Sequence, residues 1–204
     1  MTQGFLSKSY GKTTSVSVRA HYDEWATSYN KEITENGYAT PGRCAAALAL
    51  FSNDRTAPIL DFGCGTGLSG LALKLAGFQV IDGIDLSADM LKVAKTTETY
   101  RSLELIEPNA VLPTPDVAYA NIAAIGVIGA GAAPISVFHL LMHALPKGGK
   151  LVFSLNGHAL ADPENEAAIN EWTKKGSANL LFKEHGDHLP GINLKSNVYV
   201  VEKT

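Results

Sequence analysis

The chain has 204 residues, of which 46% are hydrophobic, and its formal net charge is −3 at pH 7. This composition suits one domain with a full core and excludes a disordered chain. The Lys and Arg residues form no basic run, so we expect no nucleic-acid partner, and two cysteines exclude a disulfide framework. The N-terminus lacks the apolar segment of a secretory signal, so we expect a cytoplasmic protein with no membrane partner.

Two helices are expected in the N-terminal region, before the first strand. Aromatic residues recur at helical spacing from Tyr22 to Tyr29 and predict a helix that begins at Arg19 and ends at Gly37. Pro41 then suits the first turn of a second helix, because its fixed backbone angle is already helical.

Beyond these helices, strands and helices mostly alternate. Strands are predicted at residues 59–62, 80–84, 103–106, 117–122 and 150–155, and helices at residues 66–76, 87–97, 134–145 and 163–174. Two final strands, 178–184 and 194–201, have no helix between them and therefore pair antiparallel. The pattern predicts an α/β fold with a doubly wound, mostly parallel sheet. Residues 1–44 are expected to form a tail and a helical lid, and residues 45–204 to form the core of this single domain.

A glycine-rich loop, DFGCGTGLSG at residues 61–70, follows the first predicted strand. Glycines between a strand and a helix let the backbone approach a ligand, and the helix N-terminus offers free N–H groups. Two patterns fit this loop, which are Gly63-x-Gly65-x-Gly67 behind Asp61 and the dinucleotide fingerprint Gly65-x-Gly67-x-x-Gly70. Asp85 ends the second predicted strand, where an acid can accept hydrogen bonds from both hydroxyls of a ribose. A ribose-bearing cofactor is expected with either pattern.

Asp61 favours the first pattern. A carboxylate at this position attracts the ammonium group of S-adenosylmethionine, whereas it would repel a pyrophosphate. The predicted C-terminal hairpin does not match the all-parallel dinucleotide-binding fold, and the chain shows no dehydrogenase motif. We therefore expect Gly70 to be a helix residue that allows close packing against the sheet. An NAD(P)-binding oxidoreductase that uses the Gly65–Gly70 pattern is the alternative.

Over residues 20–204, the chain resembles the class I S-adenosylmethionine-dependent methyltransferases. The stretches that carry the resemblance are DFGCGTG at 61–67, GIDLSADML at 83–91, DVAYANI at 116–122 and LPKGGKLVFS at 145–154. YDEWATSY at 22–29 and GYATP at 37–41 are similar to the small-molecule branch with a helical lid, which includes the Williams–Beuren-region-type methyltransferases. The resemblance implies a seven-stranded sheet whose last strand is inserted antiparallel.

The resemblance also implies S-adenosylmethionine as cofactor and S-adenosylhomocysteine as product. The methionine moiety would be held by the acid and backbone of the loop, the ribose by the second acid, and the adenine by apolar side chains and the 109–110 segment. The candidate cofactor-binding residues are Tyr22, Tyr29, Asp61, Gly63, Cys64, Gly65, Asp85, Leu86, Met90, Asn109, Ala110 and Asn121. Asn121 would line the methyl-donor pocket after the fourth strand, where no Asn-Pro-Pro-Tyr motif of amide or DNA-base methylation is present.

Acceptor-side candidates are aromatic residues of the lid and polar residues near the carboxyl ends of the strands. Aromatic ring faces are favourable beside a sulfonium cation, although Trp25 is expected to pack within its helix. Asn156 and His158 follow the fifth strand, and the hairpin loop is expected to bring histidines to the same end, where they would orient a nucleophile or remove its proton. The acceptor-side candidates are Tyr38, Asn156, His158, His185 and His188. We expect no metal site and assign no catalytic residue.

The predicted function is methyl transfer from S-adenosylmethionine to a small-molecule acceptor, by in-line displacement in a lidded pocket. Position and exclusion of water are the main contributions expected of the protein, because the positive sulfur already activates the methyl group. Besides the oxidoreductase, a cofactor-binding module that is non-catalytic or methylates a protein is a further alternative.

Overall fold

The computed structural model describes residues 15–107, 112, 119–129 and 132–204. Its helices are α1 (Ser15–Glu35), α2 (Thr40–Phe51), α3 (Leu68–Leu75), α4 (Ala88–Lys95), α5 (Ser136–Ala144), α6 (Gly157–Leu160) and α7 (Pro163–Lys174). Its strands are β1 (Ile59–Phe62), β2 (Ile81–Asp85), β3 (Ser102–Leu105), β4 (Asn121–Ala124), β5 (Lys150–Asn156), β6 (Ala178–Leu189) and β7 (Leu194–Lys203). A 3-10 turn at Pro190–Ile192 joins the last two strands.

Local sequence signals account for several helix starts. The Ser87 hydroxyl accepts a hydrogen bond from the Met90 amide, 3.1 Å away, and so caps α4. The Asp162 carboxylate caps α7 in the same way by accepting from the Glu164 amide at 3.0 Å. Proline occupies the first turn of both α2 and α7, where its missing N–H group costs no helical hydrogen bond.

The seven strands form one sheet in the order β3-β2-β1-β4-β5-β7-β6. The pairs among β1 to β5 are parallel, whereas β7 lies antiparallel between β5 and β6. The predicted fold is therefore confirmed. Chain order reverses beside β1, from which β2 and β4 lie on opposite sides, and open α/β sheets bind ligands at the carboxyl ends of the strands at such a point.

Hydrophobic clusters cover both faces of the sheet. Neighbouring residues of β5 point to opposite faces, so Phe153 packs in the cluster that contains Phe138 of α5, while Val152 packs with Leu48 of α2. The buried Cys44 belongs to the same cluster as Leu48. The boundary expected after residue 44 thus falls inside α2. This helix packs against one face of the sheet together with the core.

Two strands, β4 and β6, differ from the prediction by more than two residues at one end. β4 begins at Asn121 rather than at residue 117. The sequence misplaced this strand because the uncharged run around it has no alternation that fixes the strand position. Residues 117 and 118 lie outside the described part of the chain. β6 continues to Leu189 and pairs with β7 past two register irregularities, because an edge strand tolerates exposed polar side chains such as those of His185 and Asp187. None of the described helices is both long and apolar enough to span a membrane.

Gly70 lies in α3, as expected, and makes room for the aromatic ring of Tyr100. A Cβ atom on Gly70 would stand 2.3 Å from both Cζ and the hydroxyl oxygen of Tyr100. The Gly70 amide instead donates a hydrogen bond to that hydroxyl at 3.1 Å. The close approach at Gly70 is therefore to another side chain of the protein.

Substituting Gly70→Ala is expected to lower the free energy of unfolding by about 1–3 kcal/mol, because the methyl group overlaps Tyr100. Gly42→Ala is the matched control, since Gly42 is a helical glycine of α2 with nothing within 4 Å of an added Cβ. The control should instead gain up to about 1 kcal/mol from its higher helix propensity. Urea unfolding measures both, and equal effects of the two substitutions would contradict this account.

Candidate functional site

A cavity of about 450 Å³ lies at the carboxyl ends of β1, β2 and β4, between these strands and α1. Its described walls come from α1 and its neighbourhood and from the segments that follow four parallel strands. The lining residues are Arg19, Tyr22, Tyr29, Tyr38 and Pro41, then residues 62–66, 68 and 69, then 85–87 and 90, then 106 and 107, and finally 125–127, 132–134, 136, 137 and 140.

The glycine loop forms one wall of this cavity. Gly63, Gly65 and Gly67 have positive φ angles of 68°, 53° and 93°, which residues with a Cβ atom rarely adopt. The amides of Gly63 and Cys64 both donate to the Ile84 carbonyl, at 2.8 and 3.0 Å, and so tie the loop to β2. Apart from its chain neighbours, no atom of the described residues lies within 4 Å of a Cβ atom built on Gly65, so a ligand can approach the backbone there.

The Asp85 carboxylate links the loops that follow β1 and β2. Its Oδ2 accepts from the Gly65 amide at 2.8 Å, and its Oδ1 accepts from the Ser87 amide at 2.9 Å. Burial raises the pKa of this carboxyl group, and the nearby Asp23 adds to the rise. Because each carboxylate oxygen accepts more than one hydrogen bond, both oxygens of Asp85 remain available to a pair of hydroxyl groups in the cavity.

The Asp61 carboxylate lies behind the cavity wall and is fully buried. Its Oδ2 accepts from the Ser69 hydroxyl at 2.6 Å and from the Tyr100 hydroxyl at 2.7 Å. Among the described residues, none hydrogen-bonds to its Oδ1. Burial raises the pKa of Asp61 to about 6, although the two hydroxyl donors lower it, and the neighbouring Asp85 raises it further.

Sequence reasoning missed Tyr100. The one signal for it was Gly83 in the buried strand β2, since a glycine inside a strand often marks the close approach of another group. A Cβ atom on Gly83 would stand 2.9 Å from both the Tyr100 ring and the Cys64 sulfur. Cys64 lines the cavity, and burial, together with Asp61 and Asp85, holds the pKa of its thiol far above the usual range.

α1 is joined by polar contacts to the loops that surround the cavity. Arg19 donates from Nε to the Leu86 carbonyl at 2.7 Å and from one terminal nitrogen to Glu107 at 3.0 Å. Farther along α1, the Ser87 hydroxyl donates to Asp23 at 2.5 Å. The Thr66 hydroxyl donates to Asn30, also at 2.5 Å. These contacts were not predicted, and they tie α1 to the segments after β1, β2 and β3.

The aromatic residues of the N-terminal region divide between the cavity and the core. Tyr22, Tyr29 and Tyr38 line the cavity, as do the predicted adenine-side residues Leu86 and Met90. Trp25 is buried in α1 as expected, with its ring centroid 4.6 Å from that of Tyr29.

Asn121 does not lie where the sequence predicts it. It is the first residue of β4 and pairs with Ile59 and Lys150, the first residues of β1 and β5. It is therefore buried at the amino end of the sheet, away from the cavity, and residues 125–127 occupy the predicted position. The prediction was wrong because the strand lies closer to the C-terminus than the apolar pattern indicated. Asn109 and Ala110 lie outside the described residues.

The polar acceptor-side candidates line none of the described cavity wall. The Asn156 side chain accepts from the Ala159 amide at 3.0 Å and so caps α6, which carries the exposed His158. His185 and His188 lie in β6 rather than in a loop, and His185 bonds to Asn197 at 2.8 Å.

His188 is buried and packs against Tyr38, with ring centroids 5.2 Å apart. Its Nδ1 bonds to the Thr40 hydroxyl at 2.8 Å. Burial, together with Arg43 and His158, lowers the pKa of His188 to about 4, so the ring is neutral at pH 7. His188 therefore supports the wall that Tyr38 forms and does not face the cavity.

The described wall is mostly apolar and aromatic, with few charged side chains. Its charged side chains are Arg19, Asp85 and Glu107, and its described part contains no histidine or lysine. Gly70 is absent from that wall, and its amide is bonded to Tyr100. Asp61, Asp85 and the open side of Gly65 fit a ligand with a cationic group and a ribose. Of the three glycines in the Gly65-x-Gly67-x-x-Gly70 pattern, only Gly65 lines the described wall.

Asp61→Asn is expected to change the pH dependence of stability. The raised pKa means that the ionised carboxylate destabilises the folded state, so wild-type stability falls as the pH rises from about 4 to about 6. A rise from 3.8 to about 6 corresponds to about 3 kcal/mol, and asparagine escapes this loss because it does not ionise. Urea unfolding should therefore show that the free energy of unfolding of the variant, relative to that of the wild type, is higher at pH 7.5 than at pH 4.

Asp82→Asn is the matched control for this experiment. At Asp82, burial raises the pKa, but hydrogen bonds from Arg101, Ser102 and Tyr119 outweigh it and the pKa is lowered. Because the lowered pKa leaves Asp82 ionised in the folded protein throughout this range, the difference between the control and the wild type should stay nearly constant between pH 4 and pH 7.5. A difference between Asp61→Asn and the wild type that stays constant with pH would contradict the prediction.

Solved structures with this fold include two methyltransferases. Magnesium protoporphyrin IX methyltransferase from Synechocystis PCC 6803, with bound S-adenosylhomocysteine, matches with a TM-score of 0.64 and 15% identity, over 98% of this chain and 93% of that chain. A chain of the complex between the Haloferax volcanii Trm112 methyltransferase activator and the putative methyltransferase matches with a TM-score of 0.69 and 15% identity, over 91% of this chain and 97% of that one. At these identities the likeness shows the fold.

Sequence comparison adds a curated relative and a family. Human methyltransferase-like protein 27 is 29% identical over 169 residues, which cover 80% of this chain and 60% of that protein. The chain thus spans about 60% of the length of this curated relative. A family model described as a methyltransferase domain matches residues 37–196, which include the glycine loop, Asp61 and Asp85. The chain therefore belongs to the methyltransferase-domain family.

Proposed function

We propose that this methyltransferase transfers the methyl group of S-adenosylmethionine to a small, largely apolar molecule bound in the cavity beneath α1. The observation that carries the proposal is the shared cavity, whose walls join the glycine loop and Asp85 to an apolar and aromatic surface. Its volume of about 450 Å³ lies in the range of small-molecule sites, roughly 300–1,000 Å³.

Residues on the β1 and β2 side would hold the cofactor. Asp85 is suited to the ribose hydroxyls, and Leu86 and Met90 to the adenine. The backbone at residues 63–65 and the unpartnered oxygen of Asp61 are suited to the methionine moiety. When bound, S-adenosylmethionine supplies a methyl group on a positively charged sulfur, ready for in-line displacement.

The protein would contribute position and exclusion of water. α1 would act as the lid, because Arg19, Asp23 and Asn30 bind the loops on the far side of the cavity. The rings of Tyr22 and Tyr29 would then lie against the bound ligands, where aromatic faces favour a cation. This division into a lid and a core is part of the proposal.

The chemistry of the wall supports an acceptor of low charge. The segment after β4 contributes Ile125, Val127 and Val137, which are apolar. Of the charged lining side chains described, Arg19 and Glu107 are paired with each other at 3.0 Å.

Asp85→Asn is expected to weaken the binding of S-adenosylhomocysteine about 100-fold, because two hydrogen bonds to a charged group are lost or reversed. Calorimetric titration measures the loss. Asp89→Asn is the matched control, because Asp89 lies nearby on α4 but pairs with Lys92 and does not line the described cavity. If both variants bind like the wild type, Asp85 does not hold the ribose.

Incubation with methyl-labelled S-adenosylmethionine and a fractionated cell extract tests the acceptor. We expect label to enter the low-molecular-weight, organic-extractable fraction, because the lid would leave room beside the cofactor only for a small molecule. Asp85→Asn serves as the control that should lose this labelling. Label confined to protein or RNA would overturn the small-molecule proposal and leave the cofactor assignment standing.

A further inference from the structure

The hydrogen bonds to Asp61 are distributed unevenly between its two oxygens. Both described donors, the Ser69 and Tyr100 hydroxyls, bind Oδ2, at 2.6 and 2.7 Å. Oδ1 is buried and has no hydrogen-bond partner among the described residues. A buried, unpartnered carboxylate oxygen is costly, so its presence points to a hydrogen-bond donor that the described residues do not provide.

We propose that Tyr100 is a positioning residue that, with Ser69, holds the Asp61 carboxylate so that Oδ1 receives the ammonium group of the cofactor. This inference rests on the proposed function and extends it to a residue outside the cavity wall. Tyr100 would act only through Asp61, whereas Asp61 would touch the ligand.

The direction of the Tyr100 hydrogen bond is fixed by its second partner. The Gly70 amide donates to the Tyr100 hydroxyl oxygen at 3.1 Å. An amide can only donate, so the hydroxyl proton is free to point at Asp61, which accepts. A charge-assisted bond of this kind is stronger than a neutral one and restrains the carboxylate.

The ring of Tyr100 is itself held in place by two glycines. Cβ atoms on Gly70 and Gly83 would stand 2.3 and 2.9 Å from the Tyr100 side chain. The absence of side chains at these positions of α3 and β2 lets the ring pack between them. A ring confined in this way presents its hydroxyl at one position, which a positioning role requires.

The charges around Asp61 favour a cationic ligand. Burial raises the pKa of Asp61, and the negative charge of the neighbouring Asp85 raises it further. Among the ion pairs of the described residues, none includes Asp61. Ser69 bonds to Asp61 and also lines the cavity, as do residues 62–65, so this carboxylate lies beside the surface against which the ligand would bind.

Three ligands separate positioning from general packing. S-adenosylhomocysteine carries both the ammonium and the carboxylate of the amino acid, decarboxylated S-adenosylmethionine keeps the ammonium alone, and 5′-methylthioadenosine has neither. Calorimetric titration should show Tyr100→Phe binding the first two on the order of tenfold more weakly than the wild type, as for one lost hydrogen bond to a charged group. Binding of 5′-methylthioadenosine should not change.

Tyr119→Phe is the matched control. The Tyr119 hydroxyl also donates to a buried carboxylate, Asp82, at 3.0 Å, but neither residue lines the cavity. This variant should bind all three ligands like the wild type. Ser69→Ala removes the other donor to Oδ2 and should repeat the pattern of Tyr100→Phe, which provides a second test if that variant does not fold.

The outcomes separate this inference from the proposed function. If Tyr100→Phe weakens the binding of all three ligands equally, or of none, the positioning role is overturned. Binding of S-adenosylhomocysteine to the wild type would still uphold the proposed function. A wild-type protein that binds none of the three would overturn both. Selective loss of the two ammonium-bearing ligands supports the inference.

Discussion

The bonds from the Gly65 and Ser87 amides to the Asp85 carboxylate join the loops after β1 and β2, and the rest of the site is built around this link. The parallel pairing of the strands fixes where these loops begin, and the carboxylate fixes how they sit relative to each other. Ser87 in turn bonds to Asp23 of α1, so the helix over the cavity is anchored to the same segment. One side chain thus connects the sheet, the glycine loop and the helix above them.

The electrostatics of the site favour the glycine pattern behind Asp61 over the dinucleotide pattern. Asp61 and Asp85 end or nearly end adjacent strands, and burial raises the pKa of both. Two acids in a poorly solvated region repel each other and any anionic ligand, whereas a cation relieves the repulsion. The dinucleotide pattern would place a pyrophosphate here. The amide of its third glycine, Gly70, already donates a hydrogen bond to the Tyr100 hydroxyl.

Much of the fold was predictable because its signals are local. Alternating strands and helices, the glycine loop and an acid at the end of β2 are each readable within a short segment. The position of Asn121 was not, because the uncharged run around β4 fits a strand equally well at several positions. His185 and His188 looked like loop residues because polar residues are typical of loops, whereas in β6 His185 is exposed at the sheet edge and His188 is buried against Tyr38.

Contacts between distant segments were the other limit. Arg19 reaches Leu86 across 67 residues and Tyr100 reaches Asp61 across 39, and no local pattern encodes either contact. Their existence depends on how α1 and β3 pack once the sheet has formed. Gly83 was visible in the sequence, but only the packed structure shows which ring it accommodates.

The fit of Tyr100 between Gly70 and Gly83 constrains how this sequence can evolve. A larger residue at either glycine would require a smaller one at position 100, and a smaller residue there would deprive Asp61 of a hydroxyl donor. The intermediates of such a change carry either a steric clash or an under-bonded buried acid. The three positions are therefore coupled, and substitutions at them are tolerated together more readily than singly.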